Sequence, residues 1–236
     1  MFVFGKNVIY EALNTEHKIN MLFLRDDIFM HDKGIVDIAK KKAIPLTVLN
    51  KEKMNDRFKG LNQGYGADIA PFPLYQLEEV IDHHKKQFFV ILDKLNDPNN
   101  LGAIIRSCDA FGVSGIIIPK KNSINITETV VKVSTGAIFY VPIIVVSNLN
   151  QAIMKLKQNN FWIVGTDAKA DKNVYEVKND CNLALVIGSE GFGISQLVSK
   201  NCDYLVKIPM AGHVNSLNAS VSAGIMISAL MNNKAR

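Results

Sequence analysis

The sequence predicts an α/β protein in two domains, the larger built on a mostly parallel sheet with helices on both faces. Three observations carry this expectation. Short apolar runs alternate with helical stretches through most of the chain. A glycine-rich stretch running into Pro71-Phe72-Pro73 interrupts that alternation once. At 236 residues and 48% hydrophobic, the chain can bury one large core or two small ones.

In order, Phe2–Phe4, Ile19–Leu24 and Leu46–Val48 read as strands, with helical spacing over Asn7–Leu13 and Ile35–Lys42. This is a small α/β unit. Gly60–Ala70 is rich in glycine and, with the prolines that follow, is expected to resist regular structure, so the domain boundary is expected near Pro71–Tyr75. It divides a domain of residues 1–72 from one of residues 73–236. Beyond it come a helix near Leu77–Lys85, a strand Phe88–Leu92, a helix Leu101–Phe111 and a strand Ile116–Ile118. A helix near Thr127–Ile138, a strand Ile143–Val146, a helix Leu149–Lys157 and a strand Phe161–Gly165 follow. The pattern ends with strands Leu183–Ile187 and Tyr204–Ile208, a short helix near Gln196–Ser199 between them, and a long helix Ser216–Met231. Continuous apolar strands of this kind belong to parallel sheets covered on both sides.

Composition removes several classes of function. No apolar run approaches the ~20 residues of a membrane span, and the start lacks a signal-peptide core, which points to a cytoplasmic protein without a membrane partner. Cys108, Cys181 and Cys202 lack any ligand spacing and read as buried free thiols. His17, His31, His83, His84 and His213 are scattered, so no metal site is expected. A net charge of +5 fits a polyanionic partner, with Lys40–Lys42, Lys85–Lys86 and Lys120–Lys121 as candidate phosphate contacts or ordinary solvated charges.

Ligands of open parallel sheets bind at the carboxyl ends of strands, so loops that leave a strand and open a helix are read first. Three are unusual. In the first, Asp97-Pro98-Asn99-Asn100 opens a helix that carries Arg106 less than two turns deeper, placing an amide and a guanidinium where they can flank one crevice. The plainer account is that Asn100 caps the helix and Arg106 is solvated or pairs with Asp109. In the second, Gly188-Ser189-Glu190-Gly191-Phe192-Gly193 follows an apolar strand; its glycines allow a ligand to approach the main chain, and Glu190 can anchor a polar group or orient Arg106. A tight turn explains the glycines equally well. In the third, Ile208-Pro209-Met210 leads to Ser216-Leu217-Asn218 at the start of the last helix, where a Ser N-cap is the bland account.

Taken together and in this order, Asp97-Pro-Asn-Asn100-Leu-Gly-x3-Arg106, Ile187-Gly-Ser-Glu190-Gly-x-Gly193 and Ile208-Pro-Met-x5-Ser216-Leu-Asn218 resemble the three motifs of the SpoU/TrmH family within the SPOUT methyltransferases. The match covers roughly residues 88–233. The opening Val3-Phe4-Gly5-x4-Tyr10-Glu11-Ala12-Leu13 also resembles the L30e-like substrate-binding domain common in that family. The resemblance implies a C-terminal trefoil knot, a homodimer, and S-adenosylmethionine held by backbone around Gly188, Ile208 and Leu217. It further implies methyl transfer to a ribose 2′-hydroxyl of RNA by Asn100, Arg106, Glu190, Ser216 and Asn218. The third motif reads closest to the branch that methylates a guanosine of 23S rRNA, with tRNA as the alternative substrate.

A hydroxyl that attacks a sulfonium methyl loses a proton, so the site needs positioning and stabilisation of a growing oxyanion. By transfer, Arg106 contacts the phosphate or the hydroxyl, Asn100 and Asn218 orient it and the ribose, Ser216 supports the third loop, and Glu190 holds the site together. A guanidinium with a pKa above ~12 acts electrostatically rather than as a base. Histidine is the residue type a pH argument favours as base, and His213 stands in the third loop, but the motif does not require it. Two rival classes are weighed. A non-catalytic RNA-binding protein has no need of all five motif residues at their spacing, and a nucleotide-dependent oxidoreductase needs G-x-G-x-x-G after its first strand, which is missing.

Overall fold

A computed structural model describes residues 1–121, 125–189, 191–214 and 216–232. In chain order, β1 (Phe2–Phe4), α1 (Lys6–Asn14), β2 (Ile19–Arg25), α2 (Asp26–His31), α3 (Lys33–Lys41), β3 (Leu46–Leu49), α4 (Lys51–Arg57) and β4 (Tyr65–Ile69) come first. They are followed by β5 (Leu74–Tyr75), α5 (Leu77–Val80), β6 (Phe88–Asp93), α6 (Pro98–Ala110), β7 (Gly115–Pro119) and α7 (Glu128–Val133). The remainder is β8 (Ile143–Val146), α8 (Leu149–Gln158), β9 (Phe161–Thr166), β10 (Lys172–Asn173), β11 (Asn182–Gly188), α9 (Gln196–Lys200), β12 (Tyr204–Lys207) and α10 (Ala219–Asn232).

The chain forms two compact units, one of Met1–Phe72 with Ile126–Tyr140 and one of Pro73–Asn125 with Val141–Arg236. The helix expected over Thr127–Ile138 therefore groups with the first unit, although its neighbours in sequence belong to the second. It is also shorter than expected. Thr127 caps α7 at its start, and the chain turns through left-handed backbone at Thr135 and Gly136 into a 3-10 turn at Ala137–Phe139. Tyr140 donates to Glu11 from this segment, and Phe139 packs on Phe72 and His17.

The first unit holds a mixed four-stranded sheet in the order β1-β4-β2-β3, with β4 antiparallel to β1 and β2, and β2 parallel to β3. β4 corrects the expectation that Gly60–Ala70 resists regular structure. Gly66 sits in the strand because the Phe58 ring occupies the place a Cβ would take, 2.4 Å away, so the glycine marks a packed neighbour rather than a chain break. α1 buries the stripe Val8, Ile9, Ala12 and Leu13. Asp32 caps α3 through the Ile35 N–H and accepts both the Tyr10 and Tyr65 hydroxyls at 2.7–2.8 Å. Burial opposes its charge, but the three donated bonds outweigh this and hold the carboxyl below its usual range. Burial, and then the Asp32 carboxylate, push Tyr10 up to about 12.

The second unit is an eight-stranded sheet in the order β10-β12-β9-β11-β6-β7-β8-β5, and every described ladder in it is parallel. Alternation along the central strands divides its core. Phe89, Ile91, Ala184 and Val186 face Leu149, Ile153 and Leu156 of α8 and Val198 of α9. α10 lies against α6 and β11. α5 ends at Val80, well short of Lys85, because the Asp82 side chain accepts the His84 N–H and turns the chain before β6. Of the thiols expected to be buried, Cys108 is, whereas Cys181 and Cys202 are only partly so. Among the described residues no helix is long and apolar enough to cross a membrane.

Candidate active site

The carboxyl ends of β6, β9, β11 and β12 lie side by side in the sheet, and their loops build the site. β6 ends at Asp93, a buried carboxylate at the end of an otherwise apolar strand. It accepts the Ser195 N–H at 2.7 Å, tying the first loop to the second. The next residue, Lys94, has a left-handed φ of 60°, an uncommon conformation for a side-chain-bearing residue, and turns the chain sharply out of the sheet. Asp97, not Asn100, caps α6, accepting the Asn99 N–H at 2.9 Å with Pro98 in the first helical turn. Asn100 is thus freed from capping and lies buried in that turn.

Its partner comes from the third loop: Asn218 Nδ2 donates to Asn100 Oδ1 at 2.9 Å. The Asn218 Oδ1 accepts the Ser220 N–H at 2.9 Å and the Ser220 hydroxyl at 2.6 Å. Asn218 is therefore the side chain that caps α10, and the helix begins at Ala219 rather than at Ser216 as expected. Ser216 is an exposed loop residue. The second loop folds back on itself, with Ser189 and Gly193 exchanging backbone hydrogen bonds of 3.2 and 2.9 Å. A Cβ on Gly188 would lie 2.0 Å from the Gly193 carbonyl carbon, so this glycine is required by the loop's own closure before any ligand is considered.

Two cavities open among these loops. The larger, about 660 Å³, is lined by Gly188, Ile208, Ser216 and Leu217, with Asp167, Lys169 and Lys207 as its charged groups and Met210 and Met226 among its apolar ones. This is the size of a pocket for a nucleoside-sized ligand. The smaller, about 560 Å³, is lined by Lys94, Leu95, Asn96, Asp97 and Asn100. Ser189 and Phe192 line both.

The structure therefore brings together Asn100 and Asn218, and gathers Gly188, Ile208, Ser216 and Leu217 on one cavity. Arg106 is exposed on α6 and lines neither cavity. Glu190 lies outside the described residues. His213 is exposed and also lines neither cavity. Among the described residues no three His, Cys, Asp or Glu side chains lie together as metal ligands would. Three of the lysines considered for phosphate contact have protein partners: Lys42 with Thr15 and Glu16, Lys85 with Asp82, and Lys86 with Asn179. Asp93 escaped sequence reasoning. Its signal was a carboxylate closing the run Phe88-Phe-Val-Ile-Leu92, where a turn residue was the simpler account.

A parallel sheet with a cleft built from the loops after its central strands defines a ligand-binding α/β protein. Comparison with known proteins makes this specific. Residues 87–228 match the SpoU rRNA Methylase family, and residues 2–75 match the RNA 2′-O ribose methyltransferase substrate binding domain. The chain belongs to the SpoU family of RNA methyltransferases. YacO of Bacillus subtilis, assigned to the TrmH family of tRNA/rRNA methyltransferases, is 39% identical over 96% of this chain and 93% of its own. A protein of Staphylococcus aureus strain COL with the same assignment is 43% identical over 95% and 93%. The solved structure of the SpoU methyltransferase AviRb from Streptomyces viridochromogenes, in complex with the cofactor AdoMet, superposes with a TM-score of 0.83 at 24% identity, covering 98% of this chain and 89% of AviRb.

Proposed function

We propose that this protein transfers a methyl group from S-adenosylmethionine to a ribose 2′-hydroxyl of RNA, at a guanosine of 23S rRNA, in the cytoplasm. The observation that carries the reading is a pair of cavities that share Ser189 and Phe192, and the reading assigns the larger to the cofactor and the smaller to the acceptor. The first fits S-adenosylmethionine in size and in donor set, since Asp167, Lys169 and Lys207 can meet its amino and carboxylate ends and Ile208, Leu217 and Met226 its adenine. When bound, S-adenosylmethionine supplies an electrophilic sulfonium methyl. The alternative substrate is tRNA, which the tRNA/rRNA naming of the relatives equally admits.

The chain's own residues do the rest. Asn100 and Asn218, locked to each other, hold the acceptor side against the third loop, and Ser216 supports that loop beside the cofactor cavity. Glu190, next to the shared Ser189, is assigned to holding the two sides together. Arg106 is assigned an electrostatic role, stabilising the oxyanion or a phosphate. Because Arg106 lines neither cavity, the reading assigns it to the cofactor site of a second copy in a homodimer. A groove on the outer face of α10, lined by Tyr175, Gly224, Ile225, Ser228 and Ala229, supports such a contact, because small residues let a partner approach closely. The L30e-like first unit binds the RNA, and the third loop threads as the family's knot.

The test is transfer of labelled methyl to unmodified 23S rRNA and to unmodified tRNA, with alkali-resistant dinucleotides locating the product. Label in 23S rRNA at a guanosine ribose is the expected result. Label in tRNA alone overturns the substrate, and label in base rather than ribose overturns the chemistry.

A further inference from the structure

We propose that Phe192 is the platform on which the base of the methylated nucleotide stacks, an inference that rests on the ribose-methylation reading above. A single exposed phenylalanine on a surface is unremarked. Here the side chain is 92% exposed, it sits at the tip of a loop pinned by the Ser189–Gly193 hydrogen bonds, and it is one of two residues lining both cavities. Gly191 and Gly193 on either side of it have left-handed φ of 82° and 65°, and among the described residues nothing beyond their chain neighbours lies within 4 Å of where their Cβ atoms would be. The glycines on either side add no side chain that would cover the Phe192 ring, which stands exposed beside both cavities.

The surroundings say what that space would hold. A ligand in the smaller cavity meets polar groups from Lys94, Asn96, Asp97 and Asn100, which suit the hydrogen-bonding edge of a base. Among the described residues that line this cavity, Phe192 supplies the aromatic face. Enzymes that act on one nucleotide of RNA splay it out of its strand, and the unstacked base is then received on an aromatic side chain. Phe192 between the cavities provides that face while keeping the ribose at the boundary, where a methyl group would cross. Stacking of this kind tolerates any base, so the ring positions the nucleotide and the polar edge discriminates.

The experiment measures methyl transfer to total RNA from cells lacking the gene, with the full-length protein and its Phe192→Ala, Phe192→Leu and Phe192→Tyr variants. Alanine and leucine are expected to raise the KM for RNA about tenfold or more, and tyrosine to stay within about twofold of wild type. The sedimentation coefficient is expected to stay unchanged in all three, and because Phe192 also borders the cofactor cavity, any loss of S-adenosylmethionine affinity by calorimetry is expected to be well below the rise in KM for RNA. Leucine performing as well as tyrosine overturns the proposal, since an apolar contact would then suffice. So does a parallel loss of cofactor affinity, or a changed sedimentation coefficient, which would make Phe192 a contact between copies. If the wild-type protein transfers nothing, the ribose-methylation reading falls and takes this inference with it; transfer by wild type with an indifferent Phe192 sinks the inference alone.

Discussion

Each unit has a polar hub that joins distant chain segments, and the two hubs end differently. In the first unit, Asp32 gathers Tyr10, Tyr65 and the start of α3, and its donors close around it; neither of the two site cavities includes any of these side chains. In the second, Asp93 with Ser195 and Asn100 with Asn218 tie three loops together, and the loops so tied line two cavities. Yet the strongly displaced phenols of Tyr10 and Tyr65 belong to the first hub. Here a shifted pKa marks polar groups satisfied within a fold, and open space marks the chemistry.

The sharpest way to break this contrast is at Arg106. Arg106→Ala should lower kcat about a thousandfold, roughly 4 kcal/mol, while S-adenosylmethionine affinity stays within twofold. Equal loss of both in a calorimetric titration would defeat the role given to it. Gly188→Ala should cost cofactor affinity about a hundredfold, because its Cβ displaces the Gly193 turn, leaving the first unit's melting untouched. If Arg106 serves the opposite copy, mixing these two inactive variants should restore about a quarter of wild-type transfer, one sound site in half of the dimers. A mixture that stays inactive would return Arg106 to its own copy.

The first hub should respond in stability alone. Asp32→Asn should destabilise the first unit by about 2 kcal/mol at neutral pH, measured by urea unfolding. The pH dependence gives the sign. Because the folded carboxyl is held low, its contribution is present above the unfolded pKa of about 3.9 and lost as pH falls through the folded value, a slope the Asn variant should lack. Tyr10 acts in the other direction: its contribution is present below about pH 10 and lost as pH rises toward about 12. Smallest of all, Asn218→Ser keeps a capping oxygen but cannot reach Asn100. Stability should fall by about 1 kcal/mol, the worth of one neutral hydrogen bond, and transfer about fivefold.

Most of the second sheet was legible because its central strands are unbroken apolar runs, and a parallel strand buried on both faces has no other way to read. The two-residue edge strands β5 and β10 were not, since a pair of residues carries no period. β4 was hidden for another reason: Gly66 looks like a break until Phe58, eight residues earlier in sequence, is seen against it. At the site, the three loops were legible as a set, and Gly188, Ile208, Ser216 and Leu217 do share one cavity. The division of labour within them was not. Asn100 looked like a cap because caps are commonly Asn, but Asp97 takes that task, and nothing local says that Asn218 will be its partner 118 residues away. The outward placement of Arg106 depends on how α6 is rolled against α10, a matter of packing that no motif records.

The grouping of Ile126–Tyr140 with the first unit has a consequence during synthesis. The N-terminal 72 residues leave the ribosome as an incomplete body, still lacking α7 and the 3-10 turn that bury Val130, Val131 and Ile138. Tyr140 is made 68 residues after Phe72, a wait of about 3–14 s at ordinary elongation rates. Through that interval β6, α6 and β7 emerge beside an unfinished neighbour. The order of completion is thereby reversed from what a chain of two successive domains would have: the N-terminal body is sealed by residues translated in the middle of the C-terminal one, so a nascent chain arrested before Tyr140 should be cut by protease within residues 1–72, and one released after it should resist.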